Sequence, residues 1–437
     1  LPVLDPTIST PLYFDPTNRR VTEHQRPDST PLPALDGVVS ADDPTLAWAA
    51  EDFGRSAHHR PLCVVRPGSS DDIGTVLRFA HTHGIPVVPR AEGHSTGGQA
   101  QSPGGIVLDM RGLDVVHNVT EDRIVVDAGA RWSTVLEATL RHGLTPPVLT
   151  DYLEMSVGGT LSVGGIGGAS HHFGTQTDNV LELDAYTPDG TRVTCSPATN
   201  THLFDALRAG GGRHGVIARA TLRLVPAHTH ARCYHLRYYS LDTFLADQRN
   251  LMAEGRFHHL EGMAKPDASG SWVYYIDATV YFTSPELPDD DQLLDGLADQ
   301  RDAVEIDNVT YPRFLNRMAD DVALLRELGP WQHPHPWSNL FLPDHAAEPI
   351  LSDTFTRLTP EDLGDTGVVL IYPVPRERFR TPGFHLPDTP IAFLFALLRT
   401  APPVTPAELT RMVDANRELQ HQVVSAGGTV YLGDIQQ

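Results

Sequence analysis

The sequence predicts an α+β protein of two domains, and three observations carry that expectation. Between residues 61 and 226 short strands and helices alternate. Beyond Pro226 the texture changes to long strand-like runs separated by amphipathic helices. The length, 437 residues, gives two or three domains at roughly 150 residues each, with ample core. The expected division is a first domain over 1–227, with its core at about 58–227, and a second over 228–437.

Each element has a local reason. The first sixty residues are polar and proline-rich, then helical near 43–52. A strand at 63–66 leads into a helix over 70–83. The β-branched runs 85–89 and 106–110 read as strands. A helix over 133–142 follows, and then a hairpin, 180–186 with 191–195, turned by Pro188-Asp189-Gly190. A short helix at 203–209 precedes a strand at 215–224, in which Val216, Ala218, Ala220 and Leu222 alternate. In the second half, 233–239, 258–263, 271–282, 367–374 and 391–399 read as strands. The helix over 241–252 places Leu241, Phe244, Leu245, Leu251 and Met252 on one face. The helix over 406–424 has Pro406 at its start, and Gly427 and Gly428 just past its end. Strands this far apart in sequence, with helices between them, predict an antiparallel sheet flanked by helices on one side.

Composition excludes several classes. Thirty-three basic against 55 acidic residues give a net charge of −22, which argues against nucleic-acid and anionic-membrane partners. Lys265 is the only lysine; with 36 prolines, this arginine bias points to a GC-rich coding genome and a bacterial origin. Cys63, Cys195 and Cys233 lack metal-ligand spacing and read as buried free thiols. No apolar run reaches the ~18 residues of a membrane span, and LPVLDPTIST carries neither a basic region nor an apolar one at its start. The expectation is a soluble protein, cytoplasmic or exported with its signal removed, of open oligomeric state. Adjacent His171 and His172 would face opposite ways in a strand and are expected in loop or cofactor-edge positions; His333 and His335 lack a third ligand nearby, and no H-E-x-x-H motif occurs, so no metal is expected.

The glycines point to chemistry. The stretch 85–110, IPVVPRAEGHSTGGQAQSPGGIVLDM, sets His94 in a loop with Gly93, Gly97, Gly98, Gly104 and Gly105 between two strands. Glycines here let backbone amides approach a pyrophosphate without a helix-based fingerprint. A glycine-rich turn with a solvent-facing histidine is the plain alternative. A second cluster, Gly158, Gly159, Gly164, Gly165, Gly167 and Gly168, is too dense for a helix interior, where each glycine costs roughly 1 kcal/mol against alanine. It suits a backbone laid flat against a large planar cofactor. Gly210, Gly212 and Gly215 satisfy G-x-G-x-x-G, but a helix precedes, a strand follows and His235 stands where an acid should, so a Rossmann site is rejected.

These motifs carry a resemblance. GHSTGGQA at 93–100 resembles the loop of FAD-linked oxidases of the vanillyl-alcohol oxidase superfamily, whose FAD-binding domain is of the PCMH type. DFG at 52–54, PGSSDDI at 67–73, TDYL at 150–153, VGGTLS at 157–162, LEG at 260–262, PHPWSNLFLP at 334–343 and GVVLIYPV at 367–374 follow in the order of the cytokinin dehydrogenases. The resemblance covers about 52–432. It implies an FAD-binding domain and an α+β substrate domain, with FAD joined covalently through His94. It also implies that Glu92, Gly93, Ser95 and Gln99, then Thr150, Asp151, Gly158, Thr160, Ser162 and Gly165, and finally Ile217, contact the cofactor. Tyr152 stands where bicovalent relatives place a cysteine, so a single tether is expected. Asp151 is implied as the catalytic base and Glu261 as the carboxylate holding a substrate N–H. Alternation at 258–263 sets His259 on the face of Glu261; His259, Trp337 and Phe379 are the expected pocket walls.

The implied reaction is oxidation of a carbon–nitrogen bond of a small amine by hydride transfer to flavin, with oxygen or a quinone-like compound as acceptor. An oxidase of an alcohol or secondary metabolite on the same fold, or a redox-silent flavoprotein that binds or cyclises a ligand, are the alternatives. Two departures stand out. Phe379 replaces a tryptophan usual in plant members, which alters the pocket wall. Relatives also continue past the segment like Tyr431-Leu432, so the native protein is expected to extend beyond Gln437 with a return segment to the flavin domain.

Overall fold

A computed structural model describes residues 11–402 and 406–431 of the chain. The tail at 432–437, on which the expected return segment bears, lies outside these residues. Contacts divide the chain into two compact units, whose segments alternate along the sequence. The first comprises Leu1–Ala138, Glu154–Val163 and Val180–Arg223; the second comprises Thr139–Leu153, Gly164–Asn179 and Leu224–Gln437.

In the first unit a four-stranded sheet runs in the order Val38–Ser40, Cys63–Arg66, Ile106–Asp109, Val87–Arg90. Ile106–Asp109 pairs parallel with both Cys63–Arg66 and Val87–Arg90. The helix Ser70–His83 crosses between Cys63–Arg66 and Val87–Arg90, burying Ile73, Val76, Leu77 and Ala80. Gly84 ends it in the left-handed conformation at φ 61°, which glycine adopts without strain. The loop holding His94 leaves the carboxyl end of Val87–Arg90, the end at which parallel sheets bind ligands. The unit also holds a five-stranded antiparallel sheet, in the order Arg192–Cys195, Val180–Tyr186, Val216–Arg223, Arg123–Asp127, Val116–Val119, and a small three-stranded one near its start.

The second glycine cluster differs from expectation. Gly158 and Gly159 lie inside a single helical turn, Val157–Leu161, not in extended backbone. The turn is stabilised from outside: Ser156 caps it by accepting from the Gly159 N–H, and Gly158 N donates to Ala128 O at 2.7 Å. A Cβ on Gly158 would press on Ala128 at 2.8 Å, so close packing explains this glycine.

The second unit is built on eight antiparallel strands in the order Glu305–Thr310, His230–Tyr238, Trp272–Phe282, His259–Pro266, Val368–Pro375, Ile391–Leu398, Ser338–Pro343, Thr429–Tyr431. Because side chains alternate along a strand, the sheet has two faces of different character. One carries Leu236, Leu260, Ile276, Leu340, Ile371 and Phe395, all buried in one core with residues of the helices Leu241–Glu254, Asp344–Arg357 and Pro406–Ser425. The other carries His259, Glu261, Tyr281, Phe341, Tyr372 and Tyr431, one position out of phase with the core residues. A one-residue slip would exchange the two sets, so core burial fixes which polar groups face the site.

Candidate active site

His94 is partly buried and lies 4.1 Å, ring centre to ring centre, from Phe53. Its loop is tied to the DFG segment by two backbone bonds, Phe53 N to Gly93 O at 2.8 Å and Gly54 N to Ser95 O at 3.0 Å. Asp52 organises the turn itself. Its carboxylate takes Ser95 Oγ at 2.9 Å and Gly98 N at 2.7 Å. Burial pushes the Asp52 pKa up, and these two bonds pull against it. Gly93 sits at φ 65° beneath the Arg90 guanidinium, where a Cβ would collide. Gln99 accepts from Gly97 N at 2.9 Å. Arg131 reaches from this loop to the second glycine turn: it donates to Glu92 at 2.9 Å and Glu154 at 3.0 Å, and its backbone pairs with Ser156.

In the second unit the expected acid pair assembles around a residue that sequence reasoning missed. Arg317 stands between the short helix Tyr311–Leu315 and the helix Met318–Leu328. Its Nη2 donates to Asp151 Oδ1, with Glu261 Oε2 at 3.4 Å and His259 Nε2 at 3.3 Å. Asp151 and Glu261 are close enough for one proton to bridge them. Burial is the main cause that raises the Asp151 pKa to about 6; Glu261 adds to the rise and the Arg317 charge opposes it. Burial also raises Glu261, with Arg317 opposing. His259, packed edge-on against Phe314 at 5.0 Å, is driven down to about 3 by burial and by the Arg317 charge, so the imidazole is neutral. Glu261 Oε1 is buried and accepts from no N–H or neutral hydroxyl of the described residues. A proton held on Asp151, a water or a donor on a ligand would pair it.

An aromatic wall extends from this cluster. Tyr281 and Tyr372 are close enough to Glu261 and Arg317 for the charges to act on their hydroxyls; burial holds both phenols well above the ordinary value. Tyr372 adjoins Tyr431, whose ring lies 5.1 Å from Phe384, and Phe384 lies 5.5 Å from Phe379. Phe379 and Phe384 line a cleft of ≈ 230 Å³ together with Arg376, Arg380 and His385. Trp337 sits in the extended stretch before Ser338–Pro343, with its indole edge-on to His335 at 6.0 Å.

Comparison with known proteins decides the family. The chain matches the FAD binding domain family over 61–196 and the family described as cytokinin dehydrogenase 1, FAD and cytokinin binding, over 258–434. It is 43% identical to an uncharacterized oxidoreductase, ORF5 in the fasciation locus of Rhodococcoides fascians, over 91% of this chain and 90% of that protein. It is 34% identical to cytokinin dehydrogenase 10 of Oryza sativa subsp. japonica, over 83% and 74% of the two chains. Cytokinin dehydrogenase 7 of the same plant is 36% identical, over 77% and 72%. This chain belongs to the cytokinin dehydrogenase family.

It is therefore an FAD-dependent oxidoreductase with an FAD-binding and a substrate-binding domain, as the resemblance implied. The His94 loop fits that cofactor: glycines at positive φ expose the backbone at a parallel-strand end, and the polar groups around them are already satisfied by Asp52 and Gln99. Of the residues expected at the cofactor, Glu92, Gly93, His94, Ser95 and Gln99 share this loop. Gly158, Thr160 and Ser162 share the capped turn, which packs on the strand Val216–Arg223 that holds the buried Ile217. Thr150, Asp151 and Gly165 belong to the second unit. Thr150 donates to Tyr152 O at 3.1 Å, and Gly165, at φ 72°, leaves room for the Gln176 side chain. His171 and His172, expected in loop or cofactor-edge positions, form a helical turn instead: their rings lie 4.0 Å apart and both reach Phe257 O. Cys63 and Cys195 are buried free thiols, whereas Cys233 is only partly covered. Among the described residues no three metal-ligating side chains gather, and no helix is long and apolar enough to cross a membrane.

Proposed function

We propose that this protein oxidises a carbon–nitrogen bond in a small, weakly basic amine that carries an N–H, as the cytokinin dehydrogenase names of its relatives suggest. The carrying observation is the pair formed by half-buried Asp151 and buried Glu261, whose Oε1 accepts from no described residue. Glu261 holds the substrate N–H. Asp151 accepts the nitrogen-bound proton as the adjacent carbon loses a hydrogen with two electrons, leaving a C=N bond. FAD, when bound, supplies the two-electron acceptor. Water then adds to the C=N bond and splits it into a carbonyl compound and an amine. With one proton on the pair, Arg317 charged and His259 neutral, the cluster carries no net charge, which favours a neutral N–H over an alkylammonium ion.

His94 would hold the flavin through one ring nitrogen, within the loop that Asp52 shapes. Three measurements test the proposal: flavin reduction, product analysis and flavin retention. Anaerobic mixing with a panel of amines and N-alkylated adenines should bleach the flavin absorbance, and air or a quinone should restore it. Aldehyde and amine should accumulate together; a carbonyl product without amine release would instead mark an alcohol oxidase, and no bleaching a redox-silent protein. Acid-precipitated protein should stay yellow, and His94→Ala should lose its flavin on denaturation. Flavin that washes out of the wild type removes the tether.

A further inference from the structure

We propose that Arg317 is a positioning residue that holds the Asp151–Glu261 pair at one shared proton, leaving Asp151 able to act as a base near neutral pH. This rests on the reading of Asp151 as the base. The geometry is specific. Nη2 has two N–H bonds and three acceptors about it: Asp151 Oδ1 is the nearest, and His259 Nε2 and Glu261 Oε2 stand almost equidistant at 3.3 and 3.4 Å. The other arm of the fork is occupied, since Nη1 donates to Phe314 O at 3.4 Å. The guanidinium carbon lies 4.9 Å from the Phe314 ring centre. An arginine held at both ends of its fork cannot follow a moving carboxylate, so it fixes Asp151 in place.

The charge count gives the function. Two carboxylates in contact, one buried and one half-buried, resist ionising together without compensation. Arg317 supplies one positive charge, which stabilises one negative charge on the pair and no more. His259 contributes none, because its neutral Nε2 faces the guanidinium as an acceptor. Other groups act on Arg317 from the neighbouring strands: Asp277 and Tyr281 on Trp272–Phe282, Cys233 on His230–Tyr238 and Tyr372 on Val368–Pro375. Of these only Asp277 is an acid, and it adds negative charge. Arg317 is thus the cation in contact with the pair. Without it both carboxyls keep their protons to higher pH, and the base disappears from the neutral range.

The test is the pH profile of anaerobic flavin reduction at saturating substrate. Arg317→Gln should move the acid limb to higher pH by about one unit or more, the effect of losing an opposite charge at this range. Arg317→Lys should keep the limb near its wild-type position while slowing reduction, because the charge survives and the fork does not. Glu261→Gln/Arg317→Gln should bring the limb back, since removing one carboxylate removes the need for the cation; this variant also serves if Arg317→Gln alone fails to fold. The pH dependence of binding of a non-oxidisable substrate analogue should shift in the same way. Lower rates at every pH with an unmoved limb would make Arg317 merely structural and overturn the inference. Asp151→Asn reducing flavin at the wild-type rate would instead overturn the reading of Asp151 as base, a separate result.

Discussion

At the scale of single residues, Asp151 makes activity and stability respond to pH with opposite signs. Its pKa in the folded protein is raised to about 6, against an ordinary 3.8, chiefly by burial. Between those values the folded chain binds the proton more tightly than the unfolded one, so this group's contribution to stability is greatest below pH 3.8 and is lost as pH rises through 6. Activity runs the other way, because a protonated Asp151 cannot accept a proton. Flavin reduction should therefore rise through an acid limb near pH 6, and Asp151→Asn should slow it by roughly 10²–10⁴ across the range. Glu261→Gln should weaken substrate binding more than it slows reduction. Equal rates in wild type and Asp151→Asn would remove Asp151 from the chemistry. Asp151 and Glu261 were legible because each sits in a short motif, TDYL and LEG, that survives in family register. Arg317 was not: it meets Asp151 across 166 positions of sequence, and it lies at the junction of two helices and not within either. The one local signal is a charge lodged in FLNRM, between Phe314, Leu315 and Met318.

At the scale of elements, the sequence is most readable where burial is one-sided. The strand Cys63–Arg66 and helix Ser70–His83 fall where expected, because their apolar periods are clean and Gly84 closes the helix. The strand Glu305–Thr310 went unread for the opposite reason: EIDNVT is exposed along nearly its whole length, so it carries no hydrophobic period. The turn Val157–Leu161 was misread because its stability comes from Ser156 and Ala128, outside the window that propensity weighs. The His94 loop depends in the same way on a distant group. Asp52→Ala would leave Gly98 N and Ser95 Oγ, both partly buried, without their acceptor, a cost of about 0.5–1.5 kcal/mol for each bond. The loop should loosen, lowering the fraction of protein that carries flavin and the melting temperature together. Asp52→Asn keeps one oxygen toward Ser95 and Gly98 and should be the milder of the two. Full flavin content in Asp52→Ala would show that the loop keeps its shape without this anchor.

At the scale of the whole molecule, a charge of −22 disfavours anionic partners, but the order of the chain is what limits how it can be divided. Thr139–Leu153 and Gly164–Asn179 precede residue 227 in sequence yet pack with the second unit. Sequence periodicity cannot reveal this, since both segments are loops and single turns whose partners lie far along the chain. Their bonds are numerous. Leu144–Thr145 pairs with Val225–Pro226, Gly168 O accepts from Leu260 N at 2.9 Å, and His171 and His172 both bond Phe257 O. Asp178 takes Arg380 N at 3.0 Å and Thr381 Oγ1 at 2.8 Å. A fragment 228–437 would lose the partners of Phe257, Leu260, Arg380 and Thr381 together with Asp151, leaving Arg317 and Glu261 without theirs. At about 1–3 kcal/mol for each buried group left unpaired, a handful of such losses consumes the 5–15 kcal/mol that holds a typical domain folded. The fragment made alone should therefore be insoluble, or should keep secondary structure without fixed tertiary packing, with a flat near-ultraviolet circular dichroism spectrum and no cooperative melting. A sharp unfolding transition from 228–437 alone would show that the eight-stranded sheet and its helices suffice, and that the two early segments serve the active site and not the fold.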